Sequence, residues 1–160
     1  MTVSLLVGTV RTLALSTQGP SETLVAMNRR MVGRSNGGFT TCLVFRADPD
    51  DTLTIANAGH IAPYINGSEI SCENGFPLGI TESAAYTESR FRLALTDQLT
   101  LITDGVAETR NPSGEFFGCD RSAELATASA EQIAIGARNF GQDDDIIVLT
   151  HSLTERCVCA

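Results

Sequence analysis

The chain has no lysine; all 11 of its basic residues are arginine. Without a side-chain amine, Schiff-base catalysis is excluded. So is the GxxxxGK[ST] phosphate loop, whose lysine reaches the β- and γ-phosphates. No GxGxxG turn occurs either, so neither common nucleotide-binding signature is available. Histidine is scarce, with only His60 and His151. A Ser/His/Asp or Cys/His hydrolase would need one of them as its base, and neither is expected to have a GxSxG elbow or a positioned cysteine to serve. Long apolar runs are also missing. The opening Met1–Val10 stretch has no positive flank before it, is interrupted by Arg11, and falls well short of the roughly 20 residues that span a bilayer. It reads as a buried helix.

Positive charge is in short supply. Eleven basic residues against 19 acidic ones leave a net charge of −8. Nucleic-acid backbones and anionic membrane surfaces are bound by clustered cations, so neither is an expected partner. Arg29, Arg30 and Arg34 form only a small patch, read as a solvated helix face. The five cysteines are odd in number and contain no CxxC pair, which fits a reducing cytoplasm better than a disulfide framework. Cys157 and Cys159, with so few histidines elsewhere, read as terminal thiols and not as a zinc site. At 160 residues and 42% apolar, the chain reads as one domain spanning 1–160 with a core of its own.

What is present begins with helical texture. Val3, Leu6, Val7, Val10, Leu13 and Ala14 follow the helical period and predict a helix over 2–15; a second follows over about 21–33, with Leu24, Met27, Met31 and Val32 on its stripe. Short β-rich runs come next, at 40–47, 52–58, 61–65, 69–72, 87–95 and 98–103. Asp48-Pro49-Asp50-Asp51 reads as the link of a hairpin between the first two. An alanine-rich helix over about 119–138, broken near Ser129, precedes a last strand over 145–152. This order predicts an α+β layered domain with antiparallel sheet, not alternating βαβ units.

Two acidic sites stand out against this background. The run Gln98–Thr103 empties into Asp104-Gly105, and Asp143-Asp144-Asp145 leads directly into Ile146–Leu149. Carboxylates at strand ends, on neighbouring strands, would make an acidic pocket for a hard divalent cation, with substrate phosphate completing its shell. The competing reading is a plain Asp-Gly turn and a solvated acidic loop. An EF-hand beginning at Asp48 fails, because its sixth and twelfth positions are Leu53 and Gly59 instead of Gly and Glu.

Three further blocks favour the metal reading: Ala56-Asn57-Ala58-Gly59-His60; Gly75-Phe76-Pro77-Leu78-Gly79-Ile80; and Leu101–Pro112 around Asp104-Gly105-Val106, followed by Gly114-Glu115-Phe116-Phe117-Gly118. With Asp143-Asp144-Asp145-Ile146, they occur in an order that resembles the PPM/PP2C-type serine/threonine phosphatases of the bacterial SpoIIE and RsbU kind. The resemblance implies an αββα sandwich of antiparallel sheets flanked by helices, and a two-metal site holding Mn²⁺ or Mg²⁺. It implies hydrolysis of phosphoserine or phosphothreonine on an anti-sigma-factor antagonist in a partner-switching pathway. Asp104 and Asp144 match the family's metal-ligating aspartates. Gly105, Asp143 and Asp145 are further candidates at or beside the metals, with Asp143 the ligand if the register is off by one. No side chain is expected to be the nucleophile, because two ions about 3.5 to 4 Å apart can supply an activated water. Asn57, Gly59 and His60 belong to the motif but suit a structural turn.

The departures are at the front and at Ile147, where the family often has threonine. The family carries early aspartates ahead of its first long helix, whereas nothing before Glu22 here is acidic. The sequence therefore reads as the C-terminal portion of the family domain, N-terminally incomplete. Either it is a fragment of a longer chain or it is a truncated homologue that has lost catalysis, and in both cases metal binding is expected to be weak. Three functions remain open: a phosphatase; a non-catalytic module that binds a regulatory partner; and a dimerising or sensory part of a larger protein, in which open strand edges favour homodimers.

Overall fold

The computed structural model describes residues 8, 10, 11, 19–34, 38–141 and 144–153. The helix expected over 2–15 lies outside the described residues except for 8, 10 and 11, which are helical. The chain divides into two compact units, one of residues 1–60 and 72–92 and the other of 61–71 and 93–160.

The first unit begins with α1 (Pro20–Met31). Pro20 at the start needs no N–H partner, and the Glu22 carboxylate reaches back to accept from the Gly19 N–H (3.4 Å). Its buried face is Leu24, Met27, Asn28 and Met31, so Asn28 takes a place that the apolar period had given to Val32. The buried Asn28 amide donates to the Thr81 carbonyl (2.8 Å) and accepts from the Gly79 N–H (2.8 Å), tying the Gly75–Ile80 block to the helix. The sheet is built on β2 (Thr52–Ala58), which pairs antiparallel with β1 (Cys42–Ala47) and with β6 (Glu88–Arg92). The link between β1 and β2 is the expected hairpin, closed by Asp48 N–H to the Thr52 carbonyl (2.8 Å) with Asp51 at φ 65°. The two-residue β5 (Asn74–Gly75) pairs with β2 in parallel, a departure from a wholly antiparallel sheet. Leu24, Met27, Met31, Ala56, Ala58, Leu78, Ala84 and Tyr86 make this unit's core.

In the second unit, β3 (Tyr64–Ile65), β4 (Ser68–Glu69), β7 (Gln98–Ile102) and β8 (Val148–Ser152) form an antiparallel sheet in the order β4-β3-β7-β8. Asn66 and Gly67, both at positive φ, make the tight turn between β3 and β4. The expected runs 61–65, 69–72, 87–95 and 145–152 are therefore strand over shorter stretches. Helices α2 (Asp104–Ala107), α3 (Gly118–Leu125) and α4 (Ala130–Phe140) complete the unit. The break near Ser129 is a helix start: Ser129 Oγ accepts from the Gln132 N–H (3.3 Å) and the Gln132 side chain returns to the Ser129 N–H (3.1 Å). A separate core gathers Tyr64, Ile102, Val106, Phe117, Ala126, Ile133 and Ala137. No helix among the described residues is long and apolar enough to cross a membrane.

Candidate functional site

The two acidic sequence sites converge because their strands are neighbours. β7 and β8 run antiparallel with Ile102 opposite Val148, so the chain leaving β7 and the chain entering β8 meet at the same end of the sheet. Thr103 fastens them. Its N–H donates to the Ile147 carbonyl (3.1 Å), its hydroxyl accepts from the Ile147 N–H (3.1 Å), and the same hydroxyl faces the Asp145 carbonyl at 3.3 Å. Residues 145–147 are thus held against Thr103 outside the strand ladder, which is why β8 starts later than its apolar run.

Asp104 is the first residue of α2, a four-residue turn of helix that short-range periodicity did not reveal. One oxygen of its exposed carboxylate accepts from the Gly105 N–H (3.0 Å); one oxygen of Asp144, also exposed, accepts from the Asp145 N–H (2.7 Å). The other oxygen of each has no partner among the described residues. Gly105 is buried, and a β-carbon there would collide with the Asp145 carbonyl. The glycine thus sets how closely the Asp104 turn approaches the loop carrying Asp144.

Asp104, Gly105 and Asp144 line one pocket of about 260 Å³ together with Glu108, Thr109, Arg110 and Phe116. Glu108, one helical turn after Asp104, could have been found by its i+4 spacing; Arg110, beyond the helix and in a bridge with Phe116, carried no such signal. The buried Thr109 hydroxyl donates to the Gly105 carbonyl (2.8 Å), and the Arg110 guanidinium lies 4.1 Å from the centroid of the Phe116 ring. Asp145 lines a different pocket with Glu131, Ala134, Ile135, Arg138, Ile146 and Ile147. Asp143 lies outside the described residues.

Asn57, Gly59 and His60 lie in the first unit and close a turn after β2. The Asn57 side chain donates to the His60 carbonyl (2.8 Å) and accepts from the His60 N–H (2.8 Å), with Gly59 at φ 76°. Gly33-Arg34-Ser35-Asn36-Gly37 does spell GxSxG, but it follows helix α1 instead of a strand, so it lacks the strand-to-helix context of a nucleophile elbow. Ser35, Asn36 and Gly37 lie outside the described residues.

The pocket's chemistry is two-sided. Asp104 and Asp144 present hard oxygen donors of the kind Mg²⁺ and Mn²⁺ take, and such ions are often held by only one or two carboxylates plus water and substrate phosphate. Among the described residues, however, no group of three or more histidine, cysteine, aspartate or glutamate side chains converges as a metal site. The donors fit a divalent cation in kind and form an incomplete set in number.

Comparison with known proteins bears on the family and the fold. The family model described as Stage II sporulation protein E (SpoIIE) matches residues 1–153. Protein IcfG of Synechocystis sp. (strain ATCC 27184 / PCC 6803 / Kazusa) is 32% identical over 81 residues, which is 48% of this chain and 13% of that protein. Among solved structures, the SiaA-PP2C domain of Pseudomonas aeruginosa matches at TM-score 0.76 and 19% identity, covering 96% of this chain and 68% of that one. The RsbU and RsbW domains of Rv1364c from Mycobacterium tuberculosis match at TM-score 0.71 and 21% identity, covering 93% of this chain and 46% of that one. These likenesses show a shared α+β PP2C-type fold. The chain spans only a small part of the length of IcfG and under half of the mycobacterial chain.

Proposed function

The chain belongs to the SpoIIE family of PP2C-type phosphatase domains, and from that premise we propose that it is a metal-dependent protein serine/threonine phosphatase. The observation that carries this reading is the placement of Asp104, just after β7, and Asp144, just before β8, on one pocket that Gly105 also lines. Asp104 and Asp144 would hold Mn²⁺ or Mg²⁺ through the carboxylate oxygens left without protein partners. A divalent cation bound there supplies charge neutralisation for a phosphoryl group and acidifies a water. The protein's own part is positional: Thr103 locks the loop, Gly105 permits its close approach, and Thr109 holds the α2 turn. The substrate class we assign is a phosphorylated anti-sigma-factor antagonist, encountered in the cytoplasm. The described cysteines Cys42, Cys72 and Cys119 are free thiols, in keeping with a reducing compartment.

The incomplete ligand set favours a second reading, a PP2C-like module that binds a regulatory partner without chemistry. Titration of Mn²⁺ by calorimetry into the chain and into Asp104→Asn separates the two. The phosphatase reading expects weak but saturable binding that falls at least tenfold in the variant, together with Mn²⁺-dependent release of phosphate from a phosphoserine protein. Partner binding that is indifferent to metal and survives Asp104→Asn, with no phosphate release, would establish the module instead.

A further inference from the structure

We propose that Arg110 is the phosphate anchor of this pocket, its guanidinium oriented by Phe116, and that the ligand is a small phosphate monoester head bound beside the divalent cation. The cation half of this statement rests on the phosphatase reading; the anchor goes beyond it.

Arg110 is exposed and lines the same pocket as Asp104, Glu108 and Asp144. Even so, it forms no ion pair among the described residues. Arg46, Arg90 and Arg121 each lie within ion-pair distance of a carboxylate, Asp48, Glu88 and Glu115 respectively; what sets Arg110 apart is its place in the acidic pocket. What Arg110 does contact is the face of Phe116, at 4.1 Å from the ring centroid. Stacking on an aromatic face engages the plane of the guanidinium and leaves the N–H groups along its edge available. That edge matches two oxygens of a phosphoryl group through paired charge-assisted hydrogen bonds.

The backbone keeps the pair in register. Arg110 and Phe116 form an isolated antiparallel bridge, and the loop between them is cross-braced. Asn111 Oδ1 accepts from the N–H groups of Ser113 and Glu115, and Glu115 is bonded to Arg121 at 2.9 Å. The Arg121 guanidinium holds the Glu115 carboxyl below its ordinary value. An arginine that is stacked, braced and without an ion pair among the described residues is arranged for an anion that arrives from solvent.

Charge and size then select the ligand. Carboxylates alone repel a phosphate dianion, whereas a cation held by Asp104 and Asp144 would offset their charge and leave Arg110 as the cationic side chain of the pocket. At about 260 Å³ the space is below the roughly 300 Å³ at which small-molecule sites begin. It has room for a phosphoryl head and its waters.

The test is calorimetric titration of inorganic phosphate into the full chain, with and without Mn²⁺, for the wild type, Arg110→Gln, Arg110→Lys, Phe116→Leu and Asp104→Asn. Arg110→Gln is expected to weaken phosphate binding about 10- to 100-fold, the equivalent of losing a charge-assisted pair, without weakening Mn²⁺ binding or lowering Tm. Arg110→Lys should recover part of the affinity and Phe116→Leu should lose several-fold. Phosphate binding equal to wild type in Arg110→Gln, or no saturable phosphate binding by the wild type with Mn²⁺ present, overturns the proposal. The phosphatase reading is judged separately, by whether Asp104→Asn lowers Mn²⁺ affinity. Its failure would overturn the phosphatase reading alone, while the role of Arg110 is still decided by whether Arg110→Gln weakens phosphate binding.

Discussion

Gly105 is the residue on which the site's geometry turns. Its missing side chain is what lets the Asp104 turn sit against the Asp145 carbonyl, and a backbone carbonyl tethered through Thr103 has little room to step aside. Overpacking of this kind typically costs about 1 to 3 kcal/mol. Gly105→Ala is therefore expected to lower stability by that amount in urea denaturation and to weaken Mn²⁺ binding at the same time, because the loop carrying Asp144 is displaced. An unchanged denaturation midpoint with unchanged Mn²⁺ affinity would show that the close approach has no such role. Asp104 was legible because a carboxylate followed by glycine at the end of an apolar run is a local pattern. The need for that glycine to face residue 145 is not local and was invisible until the strands were paired.

At the scale of elements, α4 owes its start to Ser129 and Gln132, whose reciprocal bonds satisfy two N–H groups that a helix leaves open. Ser129→Ala should destabilise the second unit by about 1 kcal/mol, seen as a lowered Tm; a shift within measurement error would mean that packing of Ile133 and Ala137 alone sets the helix. The break at Ser129 could be read directly, since a capping residue followed three places later by glutamine is a sequence signature. The turn α2 could not, because four residues carry no period. Nor could the true start of β8. Ile146 and Ile147 continue the apolar run, but the Ile147 N–H and carbonyl are taken up by Thr103, so the ladder with β7 begins only at Val148.

For the molecule as a whole, the titrating groups narrow the pH range of stability from both sides. Burial pushes the Cys42 thiol up to about 11 and the Tyr64 hydroxyl up to about 12, with Cys119 and Glu69 adding to the latter, and raises Tyr86 in the same way. A raised acid holds its proton in the folded state after the unfolded chain has lost it. The stability these groups contribute is complete below their ordinary values of 9.0 and 10.0 and drains away as pH climbs towards 11 and 12. At the acid end, Asp97 is held down by bonds from the Ala94 N–H and the Asn66 amide, and Glu115 by Arg121. Their contribution is present above the ordinary values of 3.8 and 4.5 and is lost as pH falls below them. Thermal melts across pH 3 to 12 should give a plateau in Tm between roughly pH 5 and 9 with losses on either side. A Tm still level at pH 11 would contradict the burial of Cys42 and the two tyrosines.

The sequence by itself determined the fold class and the family. Hydrophobic period, turn residues and an ordered set of short motifs are properties of neighbours along the chain, and they were sufficient for the hairpin at residues 48–51, most of the strands and the two acidic sites at Asp104 and Asp144. Tertiary structure alone decided which strands lie side by side, and hence that Asp104 and Asp144 face one pocket while Asp145 faces another. It also placed Arg110, Glu108 and Phe116 beside the carboxylates and put Asn28, a polar residue on an apolar stripe, in the core, where two backbone partners satisfy it. The physical reason is the same in each case. Register between strands and the partners of buried polar groups are set by contacts between residues far apart in the chain, and no local pattern encodes them.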